Sequence, residues 1–229
     1  MKSPPKKIFI DCGANLGQGL LLFDQTDAGL RNRGWEGGIL GNPNWVIYSF
    51  EANPFCSLKF LEGHDTSNVL FQHKAVWTKD EEITLQGTSR LAASLAAAGR
   101  GHPHRHVFQN VRLDLDELYR CSSKEARLAT ANVLKSEGPV VTRAFDCGLF
   151  LKNLITEHPD SPIYIKLDIE GAEYPVLEHL LKNHSCLLSN IDSMWIEFHE
   201  HIVANKSKGD NRILVNSLNK YISNVYQWQ

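Results

Sequence analysis

The sequence has no apolar run near the roughly eighteen residues that a membrane-spanning helix needs. It has no excess of basic residues either: 24 Lys and Arg stand against 26 Asp and Glu, a net charge of −2. A nucleic-acid binder leaves a basic footprint, so neither nucleic acid nor membrane is an expected partner. The five cysteines (Cys12, Cys56, Cys121, Cys147 and Cys186) are odd in number and form no C-x-x-C pair. Neither a disulfide framework nor a zinc site is indicated by that spacing, and a reducing cytoplasm is the expected compartment. The opening residues, Met1 to Lys7, are charged and lack the apolar centre of a secretory signal. There are no internal repeats. What remains is a chain of 229 residues, 42% hydrophobic and 22% charged, ordinary for a globular protein with a sizeable core. One domain over residues 1–229 is the natural expectation.

Also missing is the G-x-G-x-x-G that holds a dinucleotide pyrophosphate. In its place, Lys7 to Gln18 runs from an apolar strand, Ile8 to Ile10, into a turn spaced Gly13-x-x-x-Gly17, with Gly19 two further on. Leu20, Leu21, Leu22 and Phe23 then read as the apolar side of a helix. Strand, glycine turn and helix together bring backbone close to a ligand. Asp11 at the strand end repels phosphate and suits a ligand that carries an ammonium and a sulfonium. A second strand, Val46 to Phe50, ends in Glu51, and Asn53-Pro54 turns the chain out. At the carboxyl end of a parallel strand, that carboxylate is placed to accept from both hydroxyls of a ribose. A third strand is expected over Val69 to Val76 and a fourth over Ile163 to Asp168. Lys166 in the fourth needs a partner if buried, with Asp11, Glu51 and Glu197 as candidates. The chain then turns through Gly171 into a helix from about Glu173, with Pro175 in its first turn and Val176, Leu177, Leu180 and Leu181 on its apolar face. Asp168, Glu170 and Glu173 therefore gather where strand meets helix. A fifth strand, Met194 to Phe198, sets His199 at the same rim.

Three of these stretches resemble motifs of one family. Asp11-Cys12-Gly13-Ala14-Asn15-Leu16-Gly17 resembles the first motif of the FkbM family of S-adenosylmethionine-dependent methyltransferases. Ser49-Phe50-Glu51-Ala52-Asn53-Pro54 resembles its second, and Lys166-Leu167-Asp168-Ile169-Glu170-Gly171-Ala172-Glu173 resembles its K-x-D-x-E-G-x-E signature. The likeness covers residues 7–85 and 140–200. It implies an α/β fold: a Rossmann-like class I methyltransferase sheet, mostly parallel, with helices on both faces and a helical insertion. It also implies S-adenosyl-L-methionine as cofactor. Asp11, Gly13, Ala14, Asn15, Gly17 and Gln18 would surround the methionine portion, Glu51, Ala52 and Asn53 the ribose, Ala75 the adenine, and Asp168 the methyl site. The family methylates oxygen on sugars and secondary metabolites, so a glycan or small-molecule hydroxyl is the expected acceptor. A neutral hydroxyl needs a base to take its proton. His199, with an ordinary pKa of about 6.5, and Asp168 are the candidates, and Glu170 and Glu173 would bind acceptor hydroxyls. A divalent cation on Asp168 with Glu170 or His199 is an option that no spacing demands, and no metal ligand is assigned. A catalytically silent cofactor-binding module stands as the alternative.

The remaining stretches are connections. Asp24 to Asn44 reads as a long functional or surface loop. Phe55 to Glu62 reads as a short helix, and Trp77 to Gln86 as an added hairpin or edge strand. Residues 87–139 read as an insertion, a helical lid or acceptor-binding piece, with a capping box at Ser122 and Glu125. Its His102, His104 and His106 are flanked by arginines that disfavour a metal. Val140 to Asp146 is expected to pair with the sheet edge, and Leu149 to Ile155 to be a helix. A loop spans Asn205 to Arg212, and Ile213, Leu214, Leu218 and Ile222 mark a last helix. Asn224 to Gln229 leaves room for one strand, where class I methyltransferases usually end in an antiparallel pair.

Overall fold

The computed structural model describes residues 5–26, 28–54, 56–85, 140–201 and 203–228. The expected insertion at 87–139, with its capping box and histidines, lies outside the described residues. Six strands form the main sheet: β1 (Lys7–Cys12), β2 (Trp45–Glu51), β3 (Val69–His73), β7 (Ile163–Leu167), β8 (Ile191–Ile196) and β9 (Asn224–Gln227). Their order is β3-β2-β1-β7-β8-β9, and every neighbouring pair is parallel. The far edge is thus the single strand β9 beside β8, without an antiparallel pair among the described residues.

Near-continuous apolar runs are what a sheet covered on both faces requires. Alternate residues of each strand divide between two cores. Ile8, Ile10, Ile163, Ile165, Met194 and Ile196 face α3 (Cys147–Glu157), α4 (Glu173–Asn183) and α5 (Lys208–Leu218). Phe9, Ile47 and Trp195 face α1 (Gln18–Gln25) and the stretch after it. That stretch, expected as a loop, holds only one short helix, α2 (Ala28–Arg31), yet it is core. Leu30, Trp35 and Ile39 are buried, and the Trp35 indole donates to the Phe23 carbonyl at 2.7 Å. Trp35 lies 5.1–5.6 Å from the rings of Phe9, Phe23, Trp45, Tyr164 and Trp195, a cluster of aromatic edges and faces. Asn68 ties the stretch down, accepting from Gly41 N and donating to Ile39 O.

The structure corrects four expectations. The run Val69 to Val76 is not one strand. Its first part pairs with β2 as far as His73, opposite Glu51, the last residue of β2. Beyond it the main sheet offers no backbone partner, and an unpaired buried backbone is costly. β4 (Ala75–Trp77) therefore pairs with β6 (Val140–Asp146) in a second, three-stranded sheet ordered β4-β6-β5. Val140 to Asp146 accordingly joins that sheet and not the main edge. β5 (Glu81–Leu85) runs antiparallel to β6, the edge strand that Ile83 and Leu85 foretold. Of the helix expected from Phe55 to Glu62, Phe55 lies outside the described residues, and the rest is reduced to a single 3-10 turn over Lys59–Leu61, where the Phe60 N–H donates to the carbonyl of Leu16. Finally, α5 starts inside the expected loop, since Ser207 and Asp210 close a capping box at Lys208.

Strand order reverses between β1 and β7. Successive crossovers there leave to opposite faces, which opens a crevice at the carboxyl ends of the strands. No helix among the described residues is long and apolar enough to cross a membrane.

Candidate functional site

That crevice is a cleft whose wall is built by β1, β2, β4 and β7. Gly13, Asn15, Phe50, Glu51, Ala52, Lys74, Ala75, Val76, Leu85, Asp168, Ile169, Glu170 and Ala172 line it.

Behind that lining lies Lys166, which is buried and bonded to two of the lining residues. Asp11 and Lys166 are register partners on adjacent strands. The lysine is 1% exposed and its Nζ lies 3.1 Å from Asp11 Oδ1 and 3.3 Å from Asp168 Oδ2, while donating to the Gly13 carbonyl at 2.7 Å. Burial alone lowers the pKa of the ammonium, but the two carboxylates outweigh it and raise it. One side chain thus ties the glycine turn of β1 to the end of β7. Helix α1 passes over it only because residue 19 is glycine, since a Cβ there would sit 2.8 Å from Lys166 Cε. Gly13 answers to packing as well. Its φ is +86°, and a Cβ would lie 1.7 Å from the Asp168 carbonyl oxygen.

Glu51 forms the opposite lip. Its Oε2 accepts the Asn15 N–H and its Oε1 the Asn53 N–H, both at 2.7 Å. Each carboxylate oxygen has a second lone pair that these bonds leave unused, and Glu51 lines the cleft. Burial pushes Glu51 up to about 7, against the pull of those two N–H groups.

At the other end stands an acidic cluster around His199. Glu173, the first residue of α4, is fully buried and accepts from Ile169 N at 2.8 Å and Gly171 N at 2.9 Å. His199 Nδ1 donates to the same carboxylate at 3.0 Å. His199 Nε2 then faces Glu170 Oε2 at 3.6 Å, Asp168 Oδ1 at 3.9 Å and Glu197 Oε1 at 3.9 Å. Glu170 reaches in from a left-handed backbone, φ +52°. Burial lowers the His199 pKa, but the Glu173 hydrogen bond and the surrounding carboxylates raise it to about 10. Burial likewise raises Glu170 and Glu197 to about 7, with His199 pulling both back. Asp168, Glu173 and His199 bring one donor atom each within 4.8 Å of one another, a spacing that a small cation can bridge.

Of the residues singled out from sequence, Gly13, Asn15, Glu51, Ala52, Ala75, Asp168 and Glu170 share the cleft. Asp11 does not reach it: fully buried, it is occupied by Lys166 and by the Ser49 hydroxyl at 3.1 Å. The acidic residues that line the cleft are Glu51, Asp168 and Glu170 instead. Ala14 and Asn53 are buried behind the lining, Gly17 packs on Leu58 and Leu61, and the Gln18 side chain accepts from Leu16 N. Glu173 is fully buried, and its carboxylate already accepts from Ile169 N, Gly171 N and His199. The carboxylates around His199 favour its protonated form. Lys74, Phe50, Leu85, Ile169 and Ala172 were missed. Lys74 carried a signal, as a cation beside the expected adenine strand, whereas the apolar ones looked like ordinary core.

A family model described as the FkbM methyltransferase domain matches residues 11–212, a span that contains the whole lining of the cleft. Neither the curated proteins nor the solved structures yield a match.

Proposed function

The chain belongs to the FkbM methyltransferase family, and from that premise we propose that it transfers a methyl group from S-adenosyl-L-methionine to a hydroxyl of a sugar or glycan. The observation that carries the cofactor half is Glu51, which lines the cleft with both oxygens fixed by backbone N–H groups and a second lone pair left on each, enough acceptors for two vicinal ribose hydroxyls. Gly13 and Asn15 lie beside it for the methionine portion, and Ala52, Ala75 and Val76 give the adenine an apolar flank. When bound, this cofactor supplies a methyl carbon on a cationic sulfur that leaves as a neutral thioether.

The acceptor half rests on the acidic cluster. Glu170, at about 7, is tuned near the working pH of a general base and lines the cleft. It takes the hydroxyl proton as the oxygen–carbon bond forms. His199 and Glu173 hold it in place, and Asp168 and Glu197 receive neighbouring hydroxyls of the acceptor. Orientation of this kind is the main task left to the protein, because the leaving group is already activated.

Two measurements test the reading. Calorimetry with S-adenosylhomocysteine should show one site that Glu51→Ala weakens. A screen of mono- and oligosaccharides with a methyl-labelled donor should then find turnover that Glu170→Gln depresses without loss of cofactor binding. Tight binding with no transfer to any sugar would remove the acceptor assignment, and transfer confined to small non-sugar alcohols would replace it.

A further inference from the structure

Helix α4 begins at Glu173, next to Ala172 of the cleft lining. Six residues on, roughly 9 Å along its axis, it meets a second group of side chains that the transfer reaction does not use. We propose that Asp146, His179 and His184 form a binding site for a divalent transition metal, zinc first among them. Each residue offers one donor atom, and the three atoms lie within 4.8 Å of one another. They come from three places in the fold: Asp146 caps the start of α3, His179 stands on α4, and His184 ends α4. All three are half-buried, so an ion can reach them.

The geometry is close to that of a metal cage. His179 Nε2 is 3.2 Å from Asp146 Oδ1. A tetrahedral ion with bonds of 2.0–2.1 Å separates its ligands by roughly 3.4 Å, so this pair already has its final spacing. The His179 and His184 rings are 4.9 Å apart and tilted 54°. The His184 ring has to swing inward to reach that spacing. It already lies over residue 148, where a Cβ would be 2.2 Å from His184 Cδ2 and 2.4 Å from Nε2, so only glycine leaves room for it. The Asn183 side-chain NH2 lies 3.0 Å from His179 Nδ1. Turning that amide over lets its carbonyl accept Nδ1–H and frees the Nε2 lone pair for a metal, the outer-sphere support that metal-bound imidazoles have. The carbonyl end of α4 also favours a cation here.

Two imidazoles and one carboxylate, with a fourth position for water, are a donor set for zinc. Magnesium and calcium prefer all-oxygen surroundings. A plain helix cap explains Asp146 with His179, but not a histidine ring laid over a glycine beside them. A metal here would fasten the β6–α3 unit to the far end of the helix whose near end holds His199. The site stands apart from the cleft, and the inference does not rest on the function proposed above.

The test uses the full chain, stripped with a chelator and dialysed. Calorimetric titration with zinc should give one equivalent, and at a hundredfold excess over Kd the melting temperature should rise by roughly 5–10 °C. X-ray absorption at the zinc edge should show two imidazoles among light-atom ligands. His184→Gln and His179→Gln should each weaken zinc at least about tenfold, while the zinc-free melting curve and S-adenosylhomocysteine affinity stay unchanged. The proposal is overturned if the wild-type chain takes up no zinc, or if both variants bind it as the wild type does. It is equally overturned if His199→Ala, and not His184→Gln, abolishes uptake.

Discussion

At the scale of single residues, the cleft depends on charges that are held, not merely present. In the ribose role proposed above, Glu51 receives two hydroxyls as a carboxylate, and burial raises its pKa to about 7. Affinity for S-adenosylhomocysteine should therefore rise between pH 6 and pH 8, and binding at pH 6 should release a proton, read by calorimetry in buffers of different ionisation enthalpy. Glu51→Gln should flatten that dependence and weaken binding about 10- to 100-fold, the worth of a hydrogen bond or two to a charged group. Lys166→Met should cost about 3–5 kcal/mol in chemical denaturation, because it strands the Asp11 carboxylate in the core. Adding Asp11→Asn should restore part of the loss. The sequence made Lys166 legible as a buried cation in need of a partner, and Asp11 was among the candidates. It hid the converse. Asp11 reads as a free charge at a ligand site until the register sets Lys166 directly across from it. Gly19 was likewise visible only as a turn residue, since nothing local says that a lysine 147 positions away will lie beneath it.

At the scale of elements, α4 joins structure to chemistry. Its first residue accepts two backbone N–H groups and fixes the His199 ring. In the wild type, His199 should stay protonated through pH 8, given its value of about 10. Glu173→Gln should lower that pKa by on the order of one unit or more, followed by imidazole NMR, because it removes both a hydrogen bond and a charge. Helix α4 and strands β1, β2, β7 and β8 were legible because their apolar patterns extend over whole elements. The region after Pro54 was not. Its residues favour a helix locally, but a long-range bond from Phe60 to Leu16 wins. The run from Val69 to Val76 looked uniform because the place where it changes sheets is set by where β2 stops, a fact that lies elsewhere in the chain.

At the scale of the whole molecule, the site leaves a mark on stability. Glu51, Glu170 and Glu197 bind their protons more tightly folded than unfolded, their values raised from 4.5 to about 7, and His199 is raised from 6.5 to about 10. For each of these the folded state holds more protons than the unfolded one, so stability is greatest at low pH and declines as pH climbs through these windows. The lowered carboxylates Asp65, Glu81, Asp146 and Asp210 act the other way, but only below about pH 4.5. The chelator-treated, ligand-free protein should thus melt lower at pH 9 than at pH 6, by fluorescence or calorimetry, and an unchanged or higher value would contradict the acid-rich site described here.

Leu85 and Val140 are opposite one another in the β5–β6 ladder, and Leu85 also lines the cleft. The second sheet therefore holds two residues far apart in the chain in register at the edge of the cleft. A charged residue at Leu85 would disturb that sheet and the cleft together and leave the register of the six main strands as it is.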